Sequence, residues 1–494
     1  MNAPQPATTA SLMPYRLAQR SGVAIDWQAE GYHLLARRDA DPLILQELRR
    51  SHGPPAEVEW LDSEAYTSRL GRLYDAQRET NNRLIEGLAE HVDLDGLMQE
   101  LPRTEDLMDA ENEAPVIRLI NGIFSEALRL SASDIHIEPF ERELIVRLRV
   151  DGAMREILDP PRVLAPMLIS RIKVMAGLDI AEKRQPQDGR ITVRAAGRPV
   201  DIRVSTLPGI HGERVVMRLL DKQAAQLTLD AIGMPPDTLA AYRRALARPN
   251  GILLNTGPTG SGKTTTLYAS LTALNDRRRN ILTVEDPVEY ALPGIGQTPV
   301  NPHAGVTFAR GLRAILRQDP DVIMIGEIRD LETAATAVQS SLTGHLVLST
   351  LHTNSALGAI ARLRDMGIEP FLLATSLKGV MAQRLVRRLC PDCHRWRAPS
   401  DAECRQFQGL ESLSRIAEPL GCDACDHTGY RGRLGLYEFI AIDDTLAAMI
   451  HDGASEAALA AHAFQQTGSL NDAALKRLTD GETSLEEVLR AIHQ

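Results

Sequence analysis

A multidomain α/β protein is expected from three features of this chain. Its 494 residues make room for about three domains of ~150 residues each. From about Pro235 onward, short unbroken apolar runs at 252–254, 281–284, 322–325 and 346–348 are spaced by helical patterns, as in parallel strands buried on both faces. Upstream, Val146, Leu148 and Val150 alternate with Arg147 and Arg149, and Asp151-Gly152 supplies the positive φ angles of a two-residue hairpin turn into 153–158.

The elements then follow in order. After a short Pro/Ala/Thr-rich leader, residues 11–92 mix short apolar and polar helical segments without a chemical motif, so 1–92 reads as a small N-terminal α/β docking domain. Residues 93–114 gather Asp95, Glu100, Glu105, Asp106, Asp109, Glu111 and Glu113 around Pro102, a composition suited to a solvated acidic linker or a marginal helix. Beyond Pro115, Val116, Ile117, Ile120, Ile123, Phe124 and Leu128 fall at helical spacing. Strands are expected at 144–150, 153–158, 190–194, 200–205 and 213–220, with a helix after Pro160-Pro161, making 115–232 a middle α+β domain on a mostly antiparallel sheet. Residues 233–494 form the third domain, with a metal module at about 386–435 and helices after Asp443.

Composition narrows the function classes. With 44% apolar and 24% charged residues the chain is neither disordered nor low-complexity. A formal charge of −10 disfavours a whole-surface nucleic-acid binder while leaving room for local basic patches. No apolar run reaches the length of a membrane span, and residues 1–9 lack the basic and apolar regions of a secretory signal, so a soluble protein in a reducing compartment is expected.

Gly257-Pro258-Thr259-Gly260-Ser261-Gly262-Lys263-Thr264 fits GxxxxGK[ST] between an apolar strand and the amphipathic stretch that starts at Thr265. Glycines let backbone N–H groups curl around phosphate, and a helix N-terminus adds partial positive charge. Lys263 can reach the β- and γ-phosphates, and the Thr264 hydroxyl can ligate Mg²⁺. The strand and helix on either side make a chance Gly-rich turn the poorer reading. A nucleotide and Mg²⁺ are therefore the expected ligands.

Glu285 and Asp286 end one strand and Glu327 ends another, where ligands sit in open α/β sheets. Such carboxylates can hold Mg²⁺ waters or deprotonate an attacking water; alternatively a strand-end Glu caps a neighbouring helix. Gly326 stands where a second acid is common, which puts more of the work on Glu327. His345 and His352 bracket the strand 346–351; a lone His is most often structural, but at a strand end near a γ-phosphate His352 can sense hydrolysis. Arg203, Arg218, Arg313, Arg317 and Arg329 could neutralise phosphoryl-transfer charge or simply form surface ion pairs.

Cys390-x-x-Cys393 and Cys422-x-x-Cys425 have the pattern of a closed four-thiolate Zn²⁺ site, with a redox pair as the alternative. The gap between the knuckles requires an excursion that contains Cys404 as a spare thiol. The nearby Arg384, Arg387, Arg388, Arg395 and Arg397 could meet phospholipid or nucleic acid, although a solvated face is the commoner fate of such a run.

The set GPTGSGKTTTLY, ILTVEDPVEY, GEIRDLETA and LSTLHTN resembles the secretion ATPases, the hexameric motors of type II and type IV secretion and of type IV pili. SDIHIEPF, EKRQPQDGR, HGERVVMRLLD and both CxxC pairs extend the similarity over about 115–494. Within that superfamily the chain is most similar to the type II secretion ATPases, the E proteins, which drive pseudopilus assembly under an outer-membrane secretin. The resemblance implies a RecA-like P-loop motor domain with a zinc module, behind a PAS-like α+β middle domain and a small N-terminal α/β domain. It implies ATP between the middle and motor domains of a hexamer, with Glu285 and Asp286 in the Asp box, Glu327 in Walker B, and His345 and His352 in the His box. Arg203 and Arg218 then approach the γ-phosphate from the middle domain, and Arg313, Arg317 and Arg329 from the motor.

Further implied partners are the cytoplasmic part of a bitopic inner-membrane protein, the L protein, for the N-terminal domain, and a membrane platform, the F protein. Acidic phospholipid is a further candidate, and the location is cytoplasmic, peripheral to the inner membrane. Two other functions compete: a type IV pilus extension ATPase, disfavoured by the compact N-terminal region, and a DNA translocase or helicase. The acidic charge and the lack of aromatic residues among the arginines count against nucleic acid.

Overall fold

The computed structural model describes residues 18, 21–28, 31–40, 42–63, 65–66, 69–70, 113–195, 198–220 and 228–492. The leader and nearly all of the expected acidic linker lie outside the described residues. The chain divides into two compact units, residues 1–130 with 160–202, and residues 131–159 with 203–494.

At the N-terminus, β1 (Val23–Gln28) and β2 (Gly31–Arg37) form an antiparallel hairpin. Helix α1 (Pro42–His52) then crosses over so that β3 (Glu57–Leu61) returns parallel to β2. The alternation puts Val23, Ile25, Tyr32 and Leu34 in one small core and Ala24 and Leu35 in another with Tyr66 and Leu70. Helix α2 (Glu113–Arg129) follows the sequence pattern, burying Val116, Leu119, Ile120, Ile123 and Phe124.

In the second unit, β4 (Asp134–Pro139), β5 (Leu144–Val150) and β6 (Ala153–Leu158) make an antiparallel meander. Asp151 at φ 49° and Gly152 at φ 85° supply its turn, as their residue types require. The chain passes through α3 (Ala165–Met175) and β7 (Gln187–Ala195) of the first unit. It then runs along β8 (Arg198–Leu207) to β9 (Arg214–Leu220), which pairs antiparallel with β4.

The motor portion starts with α4 (Pro236–Leu246), β10 (Gly251–Thr256), α5 (Lys263–Leu274), β11 (Ile281–Glu285) and β12 (Gly296–Pro299). It continues with α6 (Phe308–Ile315), β13 (Val322–Ile325), α7 (Leu331–Leu342), β14 (Leu346–Leu351), α8 (Ala356–Asp365), α9 (Pro370–Ser376) and β15 (Leu377–Leu389). A short excursion holds β16 (Arg395–Arg397), α10 (Asp401–Gln406) and β17 (Ile416–Glu418) before β18 (Tyr430–Ala441). Helices α11 (Asp444–His451), α12 (Glu456–Ala463), α13 (Leu470–Thr479) and α14 (Leu485–Ile492) complete it.

The main sheet has the order β12-β11-β13-β14-β10-β15-β18, parallel from β12 to β15, with β18 antiparallel at the edge. Both faces are covered. Ile323, Ile325, Val347 and Leu351 belong to one core with Leu312, Ala334 and Val338, whereas Val322, Met324, Leu346 and Leu348 belong to another with Leu267 and Leu271. This is why the strands read as continuous apolar runs. From β10 the chain leaves to the far side of the sheet at β11 and returns through β13 and β14. The C-terminal end of β10 is thus a point where strand order reverses, the place where open α/β sheets bind ligands.

Candidate nucleotide and metal sites

The loop 257–262 leaves β10 at that reversal, and α5 starts at Lys263 with Gly262 as its left-handed cap at φ 89°. A Cβ on Gly257, whose φ is 147°, would lie 2.5 Å from the Gln383 carbonyl and 2.7 Å from Ser261 Oγ. A Cβ on Gly262 would lie 2.6 Å from Gln383 Nε2. The glycines therefore let the loop press against β15. Lys263 Nζ donates to the carbonyls of Gly257 (2.7 Å) and Pro258 (3.0 Å), while Thr259, Gly260 and Thr264 are exposed and Thr265 is half-buried. Burial, opposed by the Glu327 charge and aided by that of Arg384, brings the Lys263 pKa down to about 8. Ser261 Oγ is buried without a hydrogen-bond partner. A glycine cradle, an unsatisfied hydroxyl, a buried ammonium and an accessible Thr264 hydroxyl fit a triphosphate and its Mg²⁺.

Glu327 follows β13. One carboxylate oxygen lies 3.1 Å from His352 Nε2 and the other pairs with Arg329. An ionised carboxylate only accepts, so this contact is a hydrogen bond in the forms of His352 that carry a proton on Nε2. The hydrogen bond from Arg329 to Glu327 raises the Arg329 pKa against some desolvation, and the Glu327 and Asp286 charges add to the rise. Glu327, His352 and Arg329 are thus brought together, within electrostatic reach of Lys263 and Asp286.

Other expected residues are placed differently. Glu285 is buried and engaged on both oxygens by Tyr268, Thr283 Oγ1 (2.5 Å) and Gln297 Nε2 (3.0 Å), so it ties the end of β11 to α5 and β12. His345 precedes β14 and its carbonyl accepts from the Gly251 N–H at the start of β10. It is therefore at the opposite end of the sheet, about 23 Å from His352 at ~3.3 Å per residue, because a strand of this length has its two ends on opposite rims. Its ring holds the Ser340 carbonyl (2.8 Å) and not a ligand-facing position.

Arg203 donates to the Val288 carbonyl (2.7 Å) and pairs with Glu289 (3.0 Å), on the loop that follows Asp286. Arg218 pairs with Asp134 (3.0 Å). Arg313 pairs with Glu332 across the α6–α7 surface, and Arg317 Nη1 donates to the Arg313 carbonyl. The arginine run beside the first knuckle is largely neither a solvated face nor a free patch. Arg384 is buried, Arg387 pairs with Glu487 (2.7 Å) and stacks on Tyr430, and Arg395 and Arg397 pair with Glu418. Sequence reasoning missed Gln383 and Arg384 as neighbours of the phosphate loop; the sequence signal was present only as polar residues inside an otherwise apolar strand.

The four cysteine sulfurs lie within 4.8 Å of one another. Separations of 3.9 Å (Cys390–Cys422), 3.7 Å (Cys393–Cys425) and 3.8 Å (Cys422–Cys425) match the edge of about 3.8 Å expected for tetrahedral Zn²⁺ with ~2.3 Å bonds. Burial opposes the Cys425 thiolate, but N–H groups of Cys422 and Gly429, each 3.2 Å from its sulfur, hold its pKa down to about 6. The donor set fits zinc. Cys404 lies on α10, outside the cluster.

A glycine cradle with its lysine and a strand-end acid, at the C-terminal rim of a parallel sheet, defines a P-loop nucleoside triphosphatase. The family described as type II/IV secretion system protein matches residues 109–490, and an N-terminal domain described for GSPII protein E matches residues 12–74. The chain is 53% identical over 494 residues to type II secretion system protein E of Pseudomonas aeruginosa, covering 99% of this chain and 98% of that one. It is 52% identical over 490 residues to type II secretion system ATPase E of Vibrio cholerae, covering 97% and 96%. The crystal structure of the pilus retraction motor PilT with bound ADP is similar at 26% identity and a TM-score of 0.52, covering 74% of this chain and 95% of that one. The chain belongs to the type II/IV secretion system protein family. It is an ATPase with a RecA-like motor, as its sequence led us to expect. Among the described residues no helix is long and apolar enough to cross a membrane.

Two outcomes follow from this geometry. Because the ammonium form of Lys263 meets phosphate, ATP affinity should weaken about tenfold between pH 7 and pH 9 as a group of pKa about 8 loses its proton, which nucleotide titration across that range would measure. Elemental analysis should find zinc at one ion per chain, with Cys393→Ser and Cys422→Ser losing it and melting at lower temperature; a metal-free protein with four titratable knuckle thiols would refute the assignment.

Proposed function

We propose that this chain is the ATP-hydrolysing motor of a type II secretion system, acting as a homo-hexamer on the cytoplasmic face of the inner membrane to drive pseudopilus assembly and protein export. The observation that carries the reading is the Glu327–His352–Arg329 cluster beside a complete phosphate loop, in a chain that matches type II secretion E proteins from end to end. The match of residues 12–74 to the N-terminal domain of GSPII protein E supports a domain that docks on the cytoplasmic part of the L protein, and the F protein is the platform the motor moves.

In this reading Lys263 and the loop N–H groups orient the β- and γ-phosphates. Thr264 would hold Mg²⁺, which when bound neutralises phosphate charge. Glu327 accepts the proton of the attacking water, and His352 fixes the orientation of its carboxylate. Arg329 offsets the charge developing on the phosphate oxygens, and Arg203 and Arg218 add charge from the middle sheet. Asp286, exposed and in reach of Arg329, is the further acid at the rim. Glu285 has a framework role through Tyr268 and Gln297.

Lys263→Ala should abolish turnover. Glu327→Gln should bind ATP yet hydrolyse it about 10²–10⁴-fold more slowly, as loss of a general base predicts; a normal rate would move the role to another acid. Residues 1–95 should capture the cytoplasmic part of the L protein in a pull-down. Capture of a pilus-assembly protein instead, or ATPase stimulation by single-stranded DNA, would redirect the assignment.

A further inference from the structure

Arg384 is a buried cation beside the phosphate loop that the hydrolytic mechanism leaves unused. Strand β15 runs parallel to β10 with Ala382 opposite Thr256, so Gln383 and Arg384 continue alongside residues 257–262. Arg384 is only 2% exposed. Its Nε donates to the Ala491 carbonyl at the end of α14 (3.1 Å), Nη1 to the Gln383 carbonyl (3.1 Å), and Nη2 to the Asn354 carbonyl (2.8 Å), two residues beyond His352. The same Nη1 would lie 3.1 Å from a Cβ on Gly257. None of these partners is a carboxylate. Glu438, the acid whose charge bears on it, accepts the N–H groups of Ala356 and Leu470 (both 3.0 Å). A guanidinium buried on carbonyl oxygens alone is a costly arrangement, and it is retained here at the place where a polyanion binds.

We propose that Arg384 is a positioning residue of the phosphate site: a buried positive charge whose counter-charge arrives with the phosphates of ATP, and whose hydrogen bonds tie the Gln383 carbonyl, against which Gly257 packs, and the Asn354 end of the loop after His352 to the end of α14. This rests on residues 257–264 being the phosphate loop. The Arg384 charge reaches that loop, since it helps to lower the Lys263 pKa while Glu327 raises it. A purely architectural arginine would stabilise the motor fold without changing the preference of the site for ATP over ADP. A charge that answers the phosphates must change it.

The test uses the full chain, with ATP and ADP as probes. Arg384→Gln should bind ATP about tenfold more weakly, with a smaller loss for ADP, and its alkaline loss of ATP binding should shift to higher pH as Lys263 is relieved of a neighbouring positive charge. Arg384→Lys keeps the charge but cannot reach three separate carbonyls with a planar fork; it should keep the wild-type pH midpoint while turnover falls about tenfold. A folded Arg384→Gln with unchanged ATP affinity and midpoint overturns the proposal. Should that variant not fold, wild-type turnover by Arg384→Lys overturns it. Equal ATP binding by wild type and Lys263→Ala would instead overturn the phosphate-loop reading itself.

Discussion

The close approach of the phosphate loop to β15 is the constraint on which the motor site depends. Side chains are excluded from the loop at Gly257 and Gly262 because the Gln383 carbonyl and side-chain amide occupy the space a Cβ would need. With the loop held there, α5 starts at Lys263 and aims its N-terminus at the rim where β10, β13 and β14 end. The acid after β13 and the histidine after β14 then reach the same place from neighbouring strands. Thr256 strengthens that rim, its hydroxyl making contacts to the carbonyls of Leu351 and Thr353 (3.1 Å each).

Around this rim, charged side chains are held by specific partners. Glu327 is shared between His352 and Arg329, whereas Glu285, at the end of β11, is enclosed by Tyr268, Thr283 and Gln297. Burial together with the Glu285 carboxylate raises the Tyr268 pKa strongly, which keeps its hydroxyl protonated as a donor. On the middle sheet, Asp134 lies between Arg218 and Arg149, and Glu138 between Arg147 and Arg214. Two nearly buried carboxylates thus order four more exposed arginines, so that face keeps an excess of guanidinium groups in defined positions. The turn of the β5–β6 hairpin also reaches the cysteine module, where Asp151 accepts the N–H of Gly432 (2.8 Å) and Arg155 lies 3.7 Å from Asp426. The module is therefore braced by both the motor sheet and the middle sheet of the same unit.

Much of this was legible in the residues. Strands buried on both faces announced β10, β11, β13 and β14 as apolar runs, and Asp151-Gly152 announced its hairpin. The regions that escaped notice have physical reasons. Strand β15 carries Gln383, Arg384 and Arg387 among its apolar residues, since its end flanks the phosphate loop and the cysteine module. No period-two or continuous apolar pattern survives there. The arginines near Cys390 look like a solvated run by composition, yet most are engaged by Glu487, Glu418 and Glu403, acids from 6 to 100 residues away in sequence.

The phosphate loop, the thiolate set and the class of fold are fixed by local spacing, and so they can be read from the residues alone: glycines where the backbone must curl, cysteine pairs that chelate, and apolar runs that must be buried. Which acid is available, and which histidine is near it, follows only from how the strands assemble. Glu285 and Glu327 end similar strands, but one end faces Tyr268 and Gln297 while the other faces His352 and Arg329. His345 and His352 bracket one strand, and a strand's two ends lie on opposite rims of its sheet. Which rim carries the site is set by strand order and direction, which no local pattern encodes.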